Sequence, residues 1–145
     1  MTAEVTVVGI SRLDDHVLLA DAALAMGMVA AGAERLMDLR GETQPPGLPV
    51  PIDHFPIMDL EPGQEELILA AGQHLAALAG DGVVTGVYCQ AGISRTSTVA
   101  IAYLMVRGQP LDEASRTVRA VRPQAMPALE LRRSLERIEA QLTAG

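Results

Sequence analysis

The 145-residue sequence has one cysteine, one phenylalanine, no tryptophan and no lysine, so all 11 of its basic residues are arginine. A single cysteine excludes a disulfide within the chain and is typical of a reducing compartment. Aromatic residues make up 2% of the chain, so few rings are available to line a deep ligand pocket. The sequence contains no apolar run of about 20 residues, the length needed to span a membrane. Its first residues include acidic Glu4 and lack the basic segment that is typical of a signal peptide. We therefore predict a cytoplasmic protein.

Length and charge narrow the class of protein further. The chain is long enough to bury a hydrophobic core, and we predict a single domain over residues 1–145. Its net charge of −7 argues against binding to nucleic acid. The three histidines, His16, His54 and His74, are scattered and form no cluster with metal-ligand spacing. We therefore predict neither a metal nor a cofactor.

The hydrophobic pattern predicts a three-layer α/β fold in which helices flank a central, largely parallel sheet of about four to five strands. The loop over residues 41–51 is rich in proline and glycine. Prolines flank the following segment, residues 52–57, which predicts either an edge strand of the sheet or an extended segment. Predicted strands span residues 4–10, 17–20, 35–39, 52–57 and 83–87. Predicted helices span residues 22–31, 64–79 and 94–106, and the first of them has Asp21 as its N-cap and Gly32 as its end. Two further helices are predicted from their apolar faces, which run from Leu111 to Val121 and from Leu131 to Leu142.

The most informative segment is Val87-Tyr-Cys-Gln-Ala-Gly-Ile-Ser-Arg-Thr96. It joins an apolar run typical of a buried strand to a helix that is apolar nearly all round. A strand, a short loop and a helix in this order direct backbone N–H groups and a helix N-terminus at one point, where an anion can bind. Cys89 at that point is favoured as a nucleophilic thiolate, and Arg95 can bind two phosphate oxygens at once. The residues therefore predict attack of a thiolate on a bound phosphoryl group.

This segment is similar to the phosphate-binding loop of cysteine-dependent protein tyrosine phosphatases. It most resembles the dual-specificity group, whose usual pattern is His-Cys-x-x-Gly-x-Ser-Arg-Ser/Thr. The resemblance covers roughly residues 33–140, because further segments match in the family's order: 35–40, 55–59, 101–105, 111–114 and 122–123. It implies a dual-specificity-like fold and hydrolysis of phosphotyrosine in proteins, with phosphoserine and phosphothreonine as further candidates, through a phosphocysteine intermediate.

The resemblance also implies a role for each site residue. Cys89 would be the nucleophile, and Thr96 would donate a hydrogen bond to its thiolate and help it leave in the second step. Asp59 would protonate the leaving oxygen, which is otherwise too basic to depart. Asp53 and Glu61 are the other acidic candidates before the motif, and Glu61 is the next choice. The phosphate would be bound by Gln90, Ala91, Gly92, Ile93, Ser94 and Arg95, with Gly92 permitting the backbone twist.

Tyr88 departs from the family pattern, which has histidine before the cysteine. A phenol is neutral at pH 7 and offers one hydroxyl in place of two ring nitrogens, so the rate of turnover stays open. Three alternatives to a protein phosphatase therefore remain. One is a phosphatase of phosphoinositides or other small molecules, which is disfavoured because the loop has no lysine. The second is a catalytically weak phosphate-binding module, and the third is a structural role without phosphate binding. The oligomeric state is left open.

Overall fold

The structure of this protein is a computed structural model, which describes residues 8–144. Those residues form a five-stranded sheet between two layers of helices. The strands are β1 (Ser11–Asp14), β2 (Val17–Asp21), β3 (Arg35–Arg40), β4 (Ile52–Ile57) and β5 (Thr85–Cys89). The helices are α1 (Ala25–Ala30), α2 (Glu65–Gly80), α3 (Arg95–Val106), α4 (Leu111–Val121) and α5 (Leu129–Ala144).

The sheet has the order β1-β2-β5-β3-β4 and is parallel except for β1, which pairs antiparallel with β2. Strand β5 is therefore central, with β2 and β3 on either side. The carboxyl ends of all four parallel strands lie at one edge of the sheet, where α/β proteins bind their ligands. The predicted fold class is confirmed, as is the edge position of the strand over 52–57.

The two faces of the sheet carry two separate cores, because successive side chains of a strand point to opposite faces. Val87 and Cys89 belong to the larger core, which is covered by α2, α3, α4 and α5. Tyr88, between them in sequence, belongs to the smaller core together with Met28 of α1. Helix α3 lies in the middle of the larger core, since every residue from Arg95 to Met105 is buried. This confirms the central position predicted from its uniformly apolar surface.

Two predicted strands differ from those observed. The strand predicted over 83–87 begins two residues later, because the Val83 N–H bonds to the Leu78 carbonyl and completes the end of α2. The strand predicted over 4–10 falls mostly on residues 1–7, which lie outside the described residues. Within 8–144 the first strand is β1, and Val8 and Gly9 form a turn before it.

Three predicted helices also change at their ends. The helix predicted over 22–31 begins as a 3₁₀ turn, Ala22–Leu24, and Asp21 caps this turn by accepting from the Leu24 N–H at 3.1 Å. Val121 and Leu142 were predicted on buried faces but are 37% and 41% exposed, because each lies in the last turn of its helix. Among the helices of residues 8–144, none has the length and apolarity needed to cross a membrane.

Candidate active site

Cys89 is the last residue of the central strand, so its thiol lies at the carboxyl edge of the sheet. Its Sγ accepts a hydrogen bond from Thr96 Oγ1 at 3.0 Å, and both residues are buried. The thiol opens into a cavity of about 500 Å³. Of the site residues predicted from the sequence, all but Gly92 and Thr96 line this cavity, and Glu42, which was not predicted, lines it as well. The lining residues are Glu42, Asp59, Cys89, Gln90, Ala91, Ile93, Ser94 and Arg95.

The loop between β5 and α3 has the geometry of an anion-binding loop. Within residues 8–144, the backbone N–H groups of residues 90–94 meet no hydrogen-bond acceptor. Gly92 has a φ of +69°, and a Cβ there would lie 2.6 Å from Arg122 Nη2 and 2.8 Å from the Ala20 carbonyl oxygen. Both the backbone conformation and the lack of space therefore require glycine.

The outer side of this loop is held by the connection between α4 and α5. Arg122 Nε donates to the Gly92 carbonyl at 2.7 Å, and the Met126 N–H donates to the Ile93 carbonyl at 3.1 Å. The Ala128 N–H bonds to Ser94 Oγ at 2.9 Å. Arg122 is only 3% exposed, and burial lowers its pKa. Three loop residues are thus fixed from behind, while their opposite side faces the cavity.

Arg95 forms a two-pronged ion pair with Glu42, a residue that the sequence analysis did not identify. Arg95 Nη1 and Nη2 donate to the two Glu42 carboxylate oxygens at 2.5 and 2.9 Å, and Nη1 also donates to the Ile57 carbonyl at 3.1 Å. The hydrogen bonds with Arg95 lower the pKa of Glu42 to about 2 and raise the pKa of Arg95. This pair holds the guanidinium beside the cavity.

Glu42 could have been found from the topology. It follows β3 by two residues, and the carboxyl end of β3 lies next to that of β5 in a parallel sheet. An acidic residue at that position is therefore brought close to the arginine that follows β5.

Of the three acidic candidates for the proton donor, only Asp59 lines the cavity. Its Oδ1 accepts a hydrogen bond from Ser94 Oγ at 2.8 Å, which ties the segment after β4 to the phosphate-binding loop. Asp53 lies elsewhere and binds Arg35 at 2.6 and 2.8 Å. Glu61 is exposed and is not among the lining residues. The structure therefore places Asp59 and Cys89 in the lining of one cavity, which Asp53 and Glu61 do not line.

The segment that carries Asp59, residues 58–63, is closed by the side chain of Gln64. Gln64 Oε1 accepts from the Met58 N–H at 2.8 Å, and Gln64 Nε2 donates to the carbonyls of Met58 at 2.7 Å and Glu61 at 2.9 Å. We call residues 58–63 the acid loop. A single amide side chain therefore replaces the backbone hydrogen bonds that this tight loop lacks, a role that the sequence pattern did not indicate.

Tyr88 lies on the sheet face opposite Cys89 and is fully buried. Its hydroxyl donates to Asp38 Oδ2 at 2.8 Å, and the Arg40 guanidinium lies 5.4 Å from the ring centroid. Burial, reinforced by the bond to Asp38, raises the pKa of Tyr88, so the phenol stays protonated. Arg40 also binds Asp38 and donates to Gln90 Oε1 at 3.2 Å. Hydrogen bonds thus link the Tyr88 side chain to the phosphate-binding loop through Asp38, Arg40 and Gln90.

Comparison with known proteins agrees with this arrangement. Residues 55–141 match the family described as dual specificity phosphatase, catalytic domain. Mouse dual specificity phosphatase 28 is 36% identical over 131 residues, which cover 79% of this chain and 78% of the mouse protein. The chain belongs to the dual specificity phosphatase family, as its resemblance predicted. It is a phosphatase of the protein tyrosine phosphatase superfamily.

Solved structures give the same fold. A mouse putative dual specificity phosphatase complexed with zinc tungstate superposes with a TM-score of 0.85 at 28% identity, over 99% of this chain and 94% of that one. Human DUSP28 superposes with a TM-score of 0.83 at 26% identity, over 92% of this chain and 98% of that one. The three-layer architecture is therefore shared along nearly the whole length.

Proposed function

We propose that the protein hydrolyses phosphate monoesters of phosphorylated proteins, phosphotyrosine first among them, through a phosphocysteine intermediate. The observation that carries the proposal is the hydrogen bond from Thr96 to the Cys89 thiol at the base of a cavity that Arg95 and Asp59 also line. A nucleophile, a cation for the oxyanion and a carboxyl group for the leaving oxygen are the three groups that this reaction needs.

In the first step the Cys89 thiolate attacks phosphorus and the bond to the leaving oxygen breaks. The Asp59 carboxyl group gives its proton to that oxygen. In the second step water attacks phosphorus, its proton passes to the Asp59 carboxylate, and the S–P bond breaks. The electron pair returns to Cys89 Sγ, where the Thr96 hydroxyl donates a hydrogen bond. The N–H groups of residues 90–95 and the Arg95 guanidinium bind the phosphoryl oxygens throughout.

Two observations support a substrate with a single phosphate. Arg95 is the one cationic residue among those that line the cavity, and the loop side chains of Gln90, Ala91, Ile93 and Ser94 are uncharged. The mouse putative dual specificity phosphatase with the same fold was crystallised in complex with zinc tungstate, and tungstate is a single tetrahedral oxyanion like phosphate. A multiply phosphorylated ligand would find no second cation in this lining.

A cytoplasmic location is part of the proposal. Cys89 is a free thiol, and it is the only cysteine of the chain. A reactive thiolate without a second cysteine has no partner for an internal disulfide and would be oxidised further outside a reducing compartment.

A phosphate-binding module with little turnover is the second candidate. It is favoured by Tyr88 in place of the family's histidine and by the engagement of both terminal Arg95 nitrogens with Glu42. Such a module would bind oxyanions without breaking the ester.

The test compares wild type with Cys89→Ser on an aryl phosphate, with tungstate binding measured in parallel. Serine stays protonated where cysteine ionises, so we expect turnover to fall by more than about 10³-fold while tungstate still binds. In Thr96→Ala the second step should slow, and acid quenching with mass spectrometry should find phosphate on the Cys89 peptide. Wild type that binds tungstate without turnover would establish the binding module, and turnover by Cys89→Ser would exclude Cys89 as nucleophile.

A further inference from the structure

Arg122 is a buried cation that the proposed reaction does not use. Within residues 8–144, every hydrogen bond that its guanidinium donates goes to an uncharged oxygen. These acceptors are the carbonyls of Gly92 at 2.7 Å, Gly9 at 3.0 Å and Leu19 at 3.4 Å, and Ser11 Oγ at 3.0 Å. In the same range Arg122 forms no salt bridge. Because a buried charge is costly without an opposite charge nearby, we looked for the anion that compensates it.

The guanidinium lies against the phosphate-binding loop but does not line the cavity. A Cβ on Gly92 would lie 2.6 Å from Arg122 Nη2, so the guanidinium contacts the backbone of this loop. Leu19, whose carbonyl it binds, pairs with Val87 of β5, two residues before Cys89. Burial lowers the pKa of Arg122, and the charges of Asp21 and Cys89 act in the opposite direction. The positive charge therefore lies behind the loop, close to the end of the strand that carries the thiol.

The other charged side chains near the thiol oppose its ionisation on balance. Arg95 is paired with the Glu42 carboxylate, and Asp59 adds a second acidic group to the cavity lining. Asp21 is the last residue of β2, the strand next to β5, and pairs in register with Cys89. Without Arg122, three acidic side chains stand against one basic one, which disfavours a thiolate.

We propose that Arg122 supplies, from behind the phosphate-binding loop, the positive charge that keeps the Cys89 thiol ionised, and that the thiolate in turn compensates the buried guanidinium. Tyr88 offers no such charge, because it places an uncharged phenol where the family has histidine. Arg122 acts on the nucleophile without lining the cavity, so it is a positioning residue. The inference rests on the proposed function, since it concerns the same nucleophile.

The experiment measures the rate of Cys89 alkylation by iodoacetamide as a function of pH, without substrate, in wild type and in variants of Arg122. Arg122→Gln keeps an N–H donor for the Gly92 carbonyl but removes the charge. It should raise the midpoint of the profile by about one pH unit, the lower end of the effect of a nearby opposite charge. Arg122→Lys keeps the charge but loses the planar fork, and its midpoint should stay within a few tenths of a unit of wild type.

Arg119→Gln is the matched control, because it removes the same charge from an exposed position one turn earlier on α4. It should leave the midpoint unchanged. Since Arg122 is buried, the difference between wild type and Arg122→Gln should also persist at high ionic strength, which screens exposed charges. A difference that disappears in high salt would come from exposed charges and contradict the inference.

A measurement on wild type keeps the inference testable if substitution of Arg122 prevents folding. The Nε–H group of Arg122 donates to the Gly92 carbonyl, and its ¹⁵N NMR signal should shift as the pH crosses the midpoint of alkylation. In Cys89→Ser the hydroxyl does not ionise, so the same signal should not shift over that range.

The inference is overturned if Arg122→Gln has the wild-type midpoint, if Arg119→Gln shifts it equally, or if the Arg122 signal does not respond to ionisation of the thiol. An equal rise in Arg122→Lys and Arg122→Gln would also overturn it, because hydrogen bonds to the loop would then matter and the charge would not. Absence of ester hydrolysis in wild type, together with alkylation that depends on the charge of residue 122, would count against the proposed function and support the inference.

Discussion

The floor and the wall of the cavity are built in opposite ways. The floor, formed by Cys89 and supported from behind by Gly92 and Thr96, belongs to the central strand, the loop and the buried helix that follow one another in sequence, and all three residues are buried. The wall, formed by Glu42 and Asp59, comes from two loops after β3 and β4 and is partly exposed. The floor is fixed by the core, and the wall by a few side-chain hydrogen bonds.

This difference matches the two kinds of chemistry that the site needs. The nucleophile and the oxyanion donors act best when they are fixed before substrate arrives. The proposed proton donor, Asp59, has to reach leaving groups of different sizes, and it is carried by a segment that side-chain hydrogen bonds hold outside the core. Ser94 and Gln64 are the two side chains that hold this segment. Substitutions in the floor and in the wall of the cavity should therefore have different effects on turnover.

The largest effect in the wall is expected for Asp59→Asn. Asparagine can still accept the hydrogen bond from Ser94 through its carbonyl oxygen, so the loop geometry should persist while the transferable proton is lost. Turnover of phenyl phosphate-like esters should fall by about 10²–10⁴-fold, with a smaller loss for esters of acidic phenols. Kinetics across a series of leaving groups would measure this dependence.

Glu61→Gln provides the matched control, because Glu61 lies two residues further along the same loop and does not line the cavity. It should retain the wild-type profile. If this variant acquired the leaving-group dependence and Asp59→Asn did not, the proton donor would be Glu61.

The floor could be predicted from sequence because it depends on local order. The apolar run, Gly92 and the uniformly apolar helix follow one another closely in sequence, and each residue type suits its place: β-branched residues favour a strand, glycine permits a positive φ, and an apolar surface on all sides favours a buried helix. The positions of Cys89 and Thr96 follow directly from that order. Even so, the strand boundary was wrong by two residues, since Val83 and Val84 have strand propensity but the end of α2 uses the Val83 N–H.

The wall could be predicted only in part. Asp59 was predicted through a family resemblance and lines the cavity, while its role as proton donor stays a prediction; Glu42 and Gln64 were not predicted. Their roles depend on which loops meet at the carboxyl edge of the sheet and on the conformation of those loops, and neither is encoded in a periodic pattern. Gln64 in particular was read as the first residue of a helix, although its side chain closes the preceding loop.

Gln64→Ala should keep the carboxyl group of Asp59 but change its position, so it tests how much turnover depends on that position alone. The variant loses all three hydrogen bonds that close the acid loop. Misplacing the carboxyl group should lower kcat roughly tenfold for substrates with basic leaving groups and less for those with acidic ones. Combined with Asp59→Asn, it should cause no further loss, because there is then no proton to position.

Gln73→Ala, on the exposed face of the same helix, is the control for helix propensity. It should leave the kinetics at wild type. A tenfold loss that is equal for all leaving groups, or that adds fully to Asp59→Asn, would show that Gln64 stabilises the fold and does not position Asp59.

Glu42→Gln should change stability in a pH-dependent way. The pKa of Glu42 is lowered from 4.5 to about 2 by Arg95, so the ion pair stabilises the folded state above pH 4.5 and this contribution is lost as the pH falls toward 2. Because Glu42 is 44% exposed, solvent screening should limit the difference from wild type at pH 7 to about 1 kcal/mol. Urea unfolding at several pH values would measure it. A difference that persists unchanged at pH 2, or that appears equally in Glu61→Gln, would contradict the assignment.

The smallest effect on catalysis is expected for Tyr88→His, which tests whether the smaller core influences the floor. The Tyr88 side chain faces away from the thiol, and its hydrogen bonds reach the loop indirectly, through Asp38, Arg40 and Gln90, so the gain should be limited. A histidine offers two ring nitrogens in place of one hydroxyl and restores the family pattern. Both Tyr88→His and the control Tyr88→Phe lose the hydroxyl bond to Asp38, so their comparison isolates the effect of the imidazole.

We expect kcat/KM of Tyr88→His to exceed that of Tyr88→Phe by roughly two- to threefold below pH 7, as is usual for coupling through intermediate residues. Alkylation of Cys89 by iodoacetamide should become detectable at lower pH in the same variant. Equal kcat/KM and equal alkylation profiles for the two variants would mean that the residue before Cys89 acts on this site through packing alone.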